Sequence, residues 1–290
     1  MKSGSDPIDM TLRTFPVTAS RYLACPKCRS DIEASPDGFR CTRCGFSGRI
    51  DSGVFVAGDV NAPSNFDVNF ATMRVSNHAP GTWELFYERQ VKYVEQHISA
   101  GQLVIDVGCG PELVYRKNGA LVIGVDASLA SVRENHDADI AVYGSAAALP
   151  VKDRIADAIV CFYSVHHMTG NTVYEHRGIV SRVFGEFARV LKPGGALMIF
   201  DVSPRWPFDA LENAAWNLGR KIIGPGLDMY FWKDSRLREV GAAAFPQLRL
   251  ETLRFGGAHF TTFPPIFSKP WLRLPRLLYP FDINLYRWRA

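Results

Sequence analysis

Five short apolar runs constrain this chain more than any other feature: Leu103–Val107, Leu121–Val125, Ile140–Tyr143, Ala158–Ser164 and Ala196–Phe200. Each reads as a buried strand. Helical stretches are expected between them. The clearest is Thr172–Leu191, which sets Ile179, Val180, Val183, Phe184, Phe187, Val190 and Leu191 on one face and stops at Lys192-Pro193-Gly194-Gly195. Short strands alternating with helices predict an α/β fold with a doubly wound, Rossmann-like parallel sheet. A further helix is expected from Thr82 to about His97, and a later strand at Arg249–Phe255.

Ahead of this region stand Cys25-Pro-Lys-Cys28 and Cys41-Thr-Arg-Cys44-Gly45, a C-x2-C-x12-C-x2-C spacing. Each CxxC knuckle aims two thiolates at one point. Two knuckles at hairpin separation make a closed tetrahedral sulfur site that suits Zn²⁺. Four protein ligands leave no open position, so the metal is expected to be structural. A segment this small has almost no core, and the metal would supply much of its folding free energy. The ribbon reads either as a brace for the following domain or as a recognition module.

The organisation that follows is an N-terminal extension (1–19), a zinc ribbon (20–57), a linker (58–81), an α/β domain (82–262) with an aromatic-rich insertion (203–235), and a basic, aromatic tail (263–290). Of 290 residues 47% are apolar and 21% charged, which suits a folded chain with a sizeable core. No apolar run approaches a membrane span, and MKSGSDPIDM has no signal-like apolar stretch. With the paired cysteines, this sets the expected location in the cytoplasm. A net charge of +4 does not by itself imply nucleic acid.

The first strand runs into Val107-Gly108-Cys109-Gly110-Pro111. Glycines there let the backbone approach a ligand, and a following helix would offer free N–H groups to an anion. Asp126 ends the second strand, where a carboxylate can accept both hydroxyls of a ribose. A dinucleotide loop would want glycine at position 113, which is leucine. Asp106, just before the loop, fits S-adenosylmethionine (SAM) better.

Four ordered segments carry a family resemblance: VIDVGCGP, GVDAS, GSAAALPVKDRIADAIVCFYSVHHM and FARVLKPGGALMIFDV. From about Trp83 to Phe255 the chain resembles class I SAM-dependent methyltransferases. The resemblance implies that Asp106, Gly108 and Gly110 line the methionine end of SAM and that Asp126 binds its ribose. It places Ala127 beside the adenine, Ser145 and Ala146 in the segment that cups it, and Phe162 and Tyr163 toward the methyl donor, with S-adenosylhomocysteine as product. Ser145 stands where an aspartate is common, and Glu112 where a third glycine is common. The span from Asp106 to Asp126 is about one helical turn short.

Methyl transfer is an in-line displacement that needs alignment and exclusion of water, with a base only when the acceptor carries a proton of high pKa. Tyr163, His166, His167 and His176 are the candidates near the strand ends; of the His166-His167 pair, one also reads as packing or capping a helix while the other faces the pocket. Ser164-Val165-His166-His167 replaces the N/D-P-P-aromatic motif of many base methyltransferases and resembles the branch acting on small molecules. Trp206, Phe208, Trp216, Tyr230, Phe231 and Trp232 read either as an apolar lid or as core. Lys269, Arg273, Arg276, Arg287 and Arg289, interleaved with aromatics, read as a membrane- or RNA-binding tail or as a segment wrapped on the domain. The expected activity is methylation of a small, apolar or biosynthetic acceptor. The alternatives are an rRNA or tRNA base methyltransferase that uses the ribbon for RNA, and a non-catalytic SAM-fold partner protein.

Overall fold

A computed structural model describes residues 14–58, 88–255 and 281–289. The four-cysteine region is a meander of β1 (Ile32–Ala34), β2 (Gly38–Cys41), β3 (Ser47–Asp51) and β4 (Val54–Val56). The expected strands follow as β5 (Leu103–Val107), β6 (Leu121–Asp126), β7 (Ile140–Tyr143), β8 (Ala156–Phe162) and β9 (Leu191–Pro204). Then come β10 (Arg249–Arg254) and β11 (Phe281–Arg289). Helices are α1 (Glu88–Glu95), α2 (Leu129–Glu134), α3 (Val173–Val190), α4 (Phe208–Ile223) and α5 (Asp234–Ala244).

The strands form one sheet in the order β1-β2-β3-β4-β7-β6-β5-β8-β9-β11-β10. From β4 to β9 neighbouring strands in that row are parallel. The chain winds outward in both directions from β5 and β8, so their carboxyl ends form the switch-point crevice where α/β sheets bind ligands. Thr172 caps α3 by accepting from the Glu175 N–H, and Val180, Val183, Phe184, Phe187 and Val190 are buried as the periodicity requires. Lys192–Gly195 bulge out between the pairs Ala156↔Leu191 and Ala158↔Ala196, with Gly194 at φ +81°. In α1 Val91 and Val94 are buried; Thr82 to Tyr87 of the expected helix lie outside the described residues.

Two sequence expectations are corrected. The β5–β6 crossover contains no helix: residues 108–120 are turns and extended chain. Two pins hold its start, from Asn135 Nδ2 to Gly110 O (2.9 Å) and from the Leu113 N–H to Asp137 Oδ2 (3.1 Å). Thirteen residues carrying a Pro111-Glu112 pair and an Asn118-Gly119 turn leave little room for the helix that normally covers this strand pair. There is accordingly no helix dipole behind the glycine loop.

The ribbon region also has more core than its size suggested. Phe39 stacks on Phe55 at 4.1 Å, and both belong to the cluster containing Ile105, Ile123 and Leu197 of the central sheet. Strand β4 pairs in parallel with β7, so the cysteine region supplies a strand to the main sheet.

The described part of the expected tail is a strand. β11 lies antiparallel between β9 and β10 and buries Tyr286 and Trp288. Trp288 occupies the space beside Gly241, where a Cβ would come within 2.1 Å of the indole. Arg287 reaches the Tyr93 hydroxyl and Arg289 pairs with Glu251, so these two arginines are engaged within the fold. Lys269, Arg273 and Arg276 lie outside the described residues. Among the described residues no helix is long and apolar enough to cross a membrane.

Candidate active site

The crevice begins at the end of β5. Gly108 (φ +74°) and Gly110 (φ +61°) turn the chain sharply in the left-handed region that favours glycine. A Cβ on Gly108 would lie 1.8 Å from Ser164 Oγ, because the loop after β8 crosses directly beside it. Ser164 closes that contact by donating to Gly108 O at 3.4 Å. Cys109 is buried against Gly124, where a Cβ would meet its sulfur at 3.0 Å.

Asp106 and Asp126 flank the loop from adjacent strands. Asp126 accepts from the Gly110 N–H (2.9 Å) and the Ser128 N–H (2.8 Å), which ties the β6 end to the glycine loop. Asp106 is 3% exposed. Burial pushes its carboxyl up to about 7, helped by the nearby charge of Asp126 and opposed by the Tyr115 hydroxyl, which leans toward it without reaching hydrogen-bond geometry. A cation beside Asp106 would favour its ionised form.

Residues expected around an adenine stand just past the ends of β6 and β7. Ala127 is exposed, Ser145 is exposed and Ala146 half-buried. The Ser145 hydroxyl accepts from the Ala147 N–H at 3.2 Å, capping the short 3-10 turn Ala146–Ala148.

On the far side the chain leaves β8 through Tyr163, at φ +48°, an uncommon conformation for an aromatic residue and one that concentrates at functional sites. Its hydroxyl donates to Gln90 of α1 at 2.7 Å. Phe162 lies flat on Phe200, 4.4 Å between centroids and 7° between planes.

His166 is held by Asp201, a residue the sequence analysis did not single out. His166 Nδ1 lies 2.6 Å from Asp201 Oδ1, the His166 N–H donates to Oδ2 at 3.1 Å, and the Val202 N–H donates to Oδ1 at 2.7 Å. This fixes an imidazole with Nδ1–H on the carboxylate and Nε2 as the remaining acceptor, the arrangement of an oriented base. The signal was an acid at the end of an apolar strand, Ile199-Phe200-Asp201, in register with the β8 terminus.

The other histidines differ. Burial and the neighbouring His166 push His167 well below the usual histidine range, so it is neutral. His176 is fully buried between Trp216 and Tyr230, 4.6 and 4.4 Å away, and its Nδ1 accepts the Gly170 N–H. Burial drives it down to about 4, and it is a packing residue. Phe231 lies 5.4 Å from His166 and 5.0 Å from Phe281, forming an apolar wall beside the dyad. Of the other insertion aromatics, Trp216, Tyr230 and Trp232 are core, while Trp206 and Phe208 face solvent.

Cys25, Cys28, Cys41 and Cys44 come together as predicted, all four sulfurs within 4.8 Å of one another. Cys25–Cys44 is 3.7 Å and Cys28–Cys41 is 3.4 Å, against about 3.8 Å between sulfurs of a tetrahedral Zn–S₄ centre. Both knuckles turn through left-handed residues, Arg29 (φ +61°) and Gly45 (φ +70°). The Arg43 and Cys44 N–H groups donate to Cys41 Sγ. Hydrogen bonds from Ser30 pull the Cys28 thiol down to about 6, while burial and the neighbouring thiols push the Cys44 thiol up to about 11. The donor set fits a structural zinc.

Comparison with known proteins agrees with this geometry. Residues 105–199 match the family described as "Methyltransferase domain", Methyltransf_11. The chain is 32% identical over 114 residues to Probable tRNA methyltransferase 9B of Mus musculus, covering 38% of this chain and 24% of that protein. It is 33% identical over 135 residues to Methyltransferase GfsG of Streptomyces halstedii, covering 42% and 45%. The chain thus spans less than half the length of these relatives. Among solved structures, the [4+2]-cyclase SpnF aligns with TM-score 0.52 and 18% identity over 79% of this chain and 97% of that one. Phosphoethanolamine N-methyltransferase 2 of Haemonchus contortus, in complex with SAM, aligns with TM-score 0.50 and 12% identity over 84% and 62%. Likeness at this distance shows the fold.

Proposed function

We propose that this chain, which carries a class I methyltransferase domain, transfers a methyl group from SAM to a small, largely apolar acceptor. The observation that carries the reading is the pairing of Asp106 and Asp126 across the Gly108–Gly110 loop, at the carboxyl ends of adjacent strands beside the switch point. When bound, SAM supplies an activated methyl group on a sulfonium and leaves as S-adenosylhomocysteine.

The chain's own residues do the rest. Asp126, at the end of β6, receives the ribose hydroxyls. Asp106 faces the cationic methionyl end and is charged when that cation is present. Gly108 and Gly110 allow the close backbone approach, and Ala127, Ser145 and Ala146 border the adenine. Tyr163, Phe231 and Phe281 exclude water from the acceptor side. His166, oriented by Asp201, takes the proton from the acceptor atom. His167 is neutral and backs His166, 4.2 Å away. The four cysteines hold Zn²⁺ and fix the edge of the sheet.

Apolar surroundings at Phe231 and Phe281 favour the small-molecule reading. One observation favours an RNA acceptor, the similarity to Probable tRNA methyltransferase 9B. Labelled SAM offered with total cellular RNA and with a metabolite extract separates the two. Label confined to small molecules supports the first reading. Label in RNA replaces it with the second, and label in neither pool, with folded protein, contradicts both.

A further inference from the structure

Helix α4 is amphipathic in the reverse sense from a helix that caps a core. A surface helix normally turns its apolar stripe inward and its charges outward. Here Phe208, Leu211, Ala215, Leu218 and Ile222 recur at spacings of three and four residues, and all five are exposed. Leu218 is 63% and Ile222 75% accessible, with Trp206 (79%) before the helix and Ile223 (59%) at its end.

Apart from Asn217 and Lys221, the polar residues of the helix face inward, beside the buried Trp216. Asp209 is buried and paired with Arg236 (3.0 Å) and Lys233 (3.4 Å). Asn213 joins this group through the Tyr230 hydroxyl at 2.8 Å. Glu212 accepts the Phe231 N–H at 2.9 Å, and burial pushes it up to about 8, so it is uncharged near neutrality. Arg220 is spent on the carbonyls of Gly224 and Leu227. Both acids of the helix are thus withdrawn, and Lys221 is its one exposed charged residue.

The size and charge of this face select its occupant. Sixteen residues make a helix about 24 Å long and about 10 Å wide, a footprint of roughly 240 Å². A stable protein interface takes about 800 Å² from each partner, so a second copy docked on this helix alone would be held weakly. A lipid surface has no such minimum. It accepts a helix lying in its plane with leucine, isoleucine, phenylalanine and tryptophan in the acyl boundary and lysine among anionic headgroups. We propose that α4 is a membrane-docking helix that seats Trp206, Phe208, Leu211, Leu218 and Ile222 in an anionic lipid surface.

The contact is carried by α4 and not by residues 281–289, which are a strand of the sheet. Phe208 touches the crevice wall at Phe281 (5.9 Å), so the test substitutions are placed at Leu218 and Ile222, toward the other end of the helix. The test is co-sedimentation of the full chain with vesicles of phosphatidylcholine, with and without phosphatidylglycerol. The variants are Leu218→Glu/Ile222→Glu, whose side chains are exposed and whose melting temperature should equal wild type, and Lys221→Gln. Wild type should sediment with the anionic vesicles, the double glutamate variant should bind at least about tenfold more weakly, and Lys221→Gln should lose part of the preference for anionic lipid. Wild type remaining in solution with both vesicle types would overturn the proposal. So would undiminished binding by the double variant. A wild-type dimer that the double variant dissociates, without lipid binding, would assign the face to a second copy instead.

Discussion

Asp201 accepts two hydrogen bonds from His166, one from its backbone N–H at 3.1 Å and one from its ring at 2.6 Å. The first fixes where the loop after β8 begins and the second fixes the tautomer of the ring. Both residues are nearly inaccessible, so the pair stays aligned without help from solvent. Replacing Asp201 with Asn leaves a side chain of the same shape and removes the charge that holds Nδ1–H. Turnover should fall by about 10²-fold, the scale of a lost positioned base, with KM for SAM nearly unchanged. His166→Gln, which removes the ring itself, should lower turnover at least as far. Wild-type turnover in both variants would reduce the pair to a structural pin.

Asp106 gives the site a pH dependence whose sign follows from burial. Its pKa is raised from 3.8 to about 7, so the folded chain holds this proton more tightly than the unfolded chain. Its contribution to stability is therefore full below about 4 and is lost as pH rises to about 7, a difference on the order of 4 kcal/mol. SAM reverses the preference, because its cationic end favours the carboxylate. Affinity for SAM should rise as pH passes through about 7, while the melting temperature of the ligand-free chain falls. Asp106→Asn should flatten both curves and weaken SAM binding. Calorimetric titration across this range checks the first and thermal melts the second.

The two loop glycines should respond differently to alanine. At Gly110 the backbone is left-handed and the space is open, so Gly110→Ala should cost about 1 kcal/mol. At Gly108 the same strain is joined by collision with Ser164 Oγ, and Gly108→Ala should cost more, about 2–3 kcal/mol. Adding Ser164→Gly should relieve the collision and leave the strain. Denaturant unfolding of the two single variants and the double variant measures all three.

Metal removal should reach the crevice. Strand β4 pairs with β7, the Ala57 N–H donates to Tyr143 O, and the Ala24 N–H donates to Pro150 O. Arg29 of the first knuckle bonds Glu186, which also accepts the Leu149 N–H. These contacts brace residues 144–151, the proposed adenine border. Chelation should lower the melting temperature and weaken S-adenosylhomocysteine binding together. Unchanged affinity in the metal-free chain would confine the cysteines to a local role.

The five core strands, the extent of α3, the cysteine cluster and the glycine loop were legible in the sequence because each rests on a local rule: apolar run length, helical periodicity stopped at Lys-Pro-Gly-Gly, knuckle spacing, a glycine turn. What was missed depends on distant partners. Asp201 gains its meaning only from the register of β8 and β9. Phe281–Arg289 read as a tail because antiparallel insertion between β9 and β10 leaves no mark in the alternation of the strand itself. The missing helix after Gly110 was foreshadowed by the short Asp106–Asp126 span, yet helix or extended chain there is decided by the pins from Asn135 and Asp137.

Titration of S-adenosylhomocysteine into the zinc-loaded chain tests the assignment most directly, with Asp126→Ala as its partner variant. Saturable one-to-one binding by wild type, abolished in Asp126→Ala with the fold intact by circular dichroism, is the predicted result. Absence of binding by folded wild type, or undiminished binding by Asp126→Ala, would contradict the placement of the cofactor across the ends of β5 and β6.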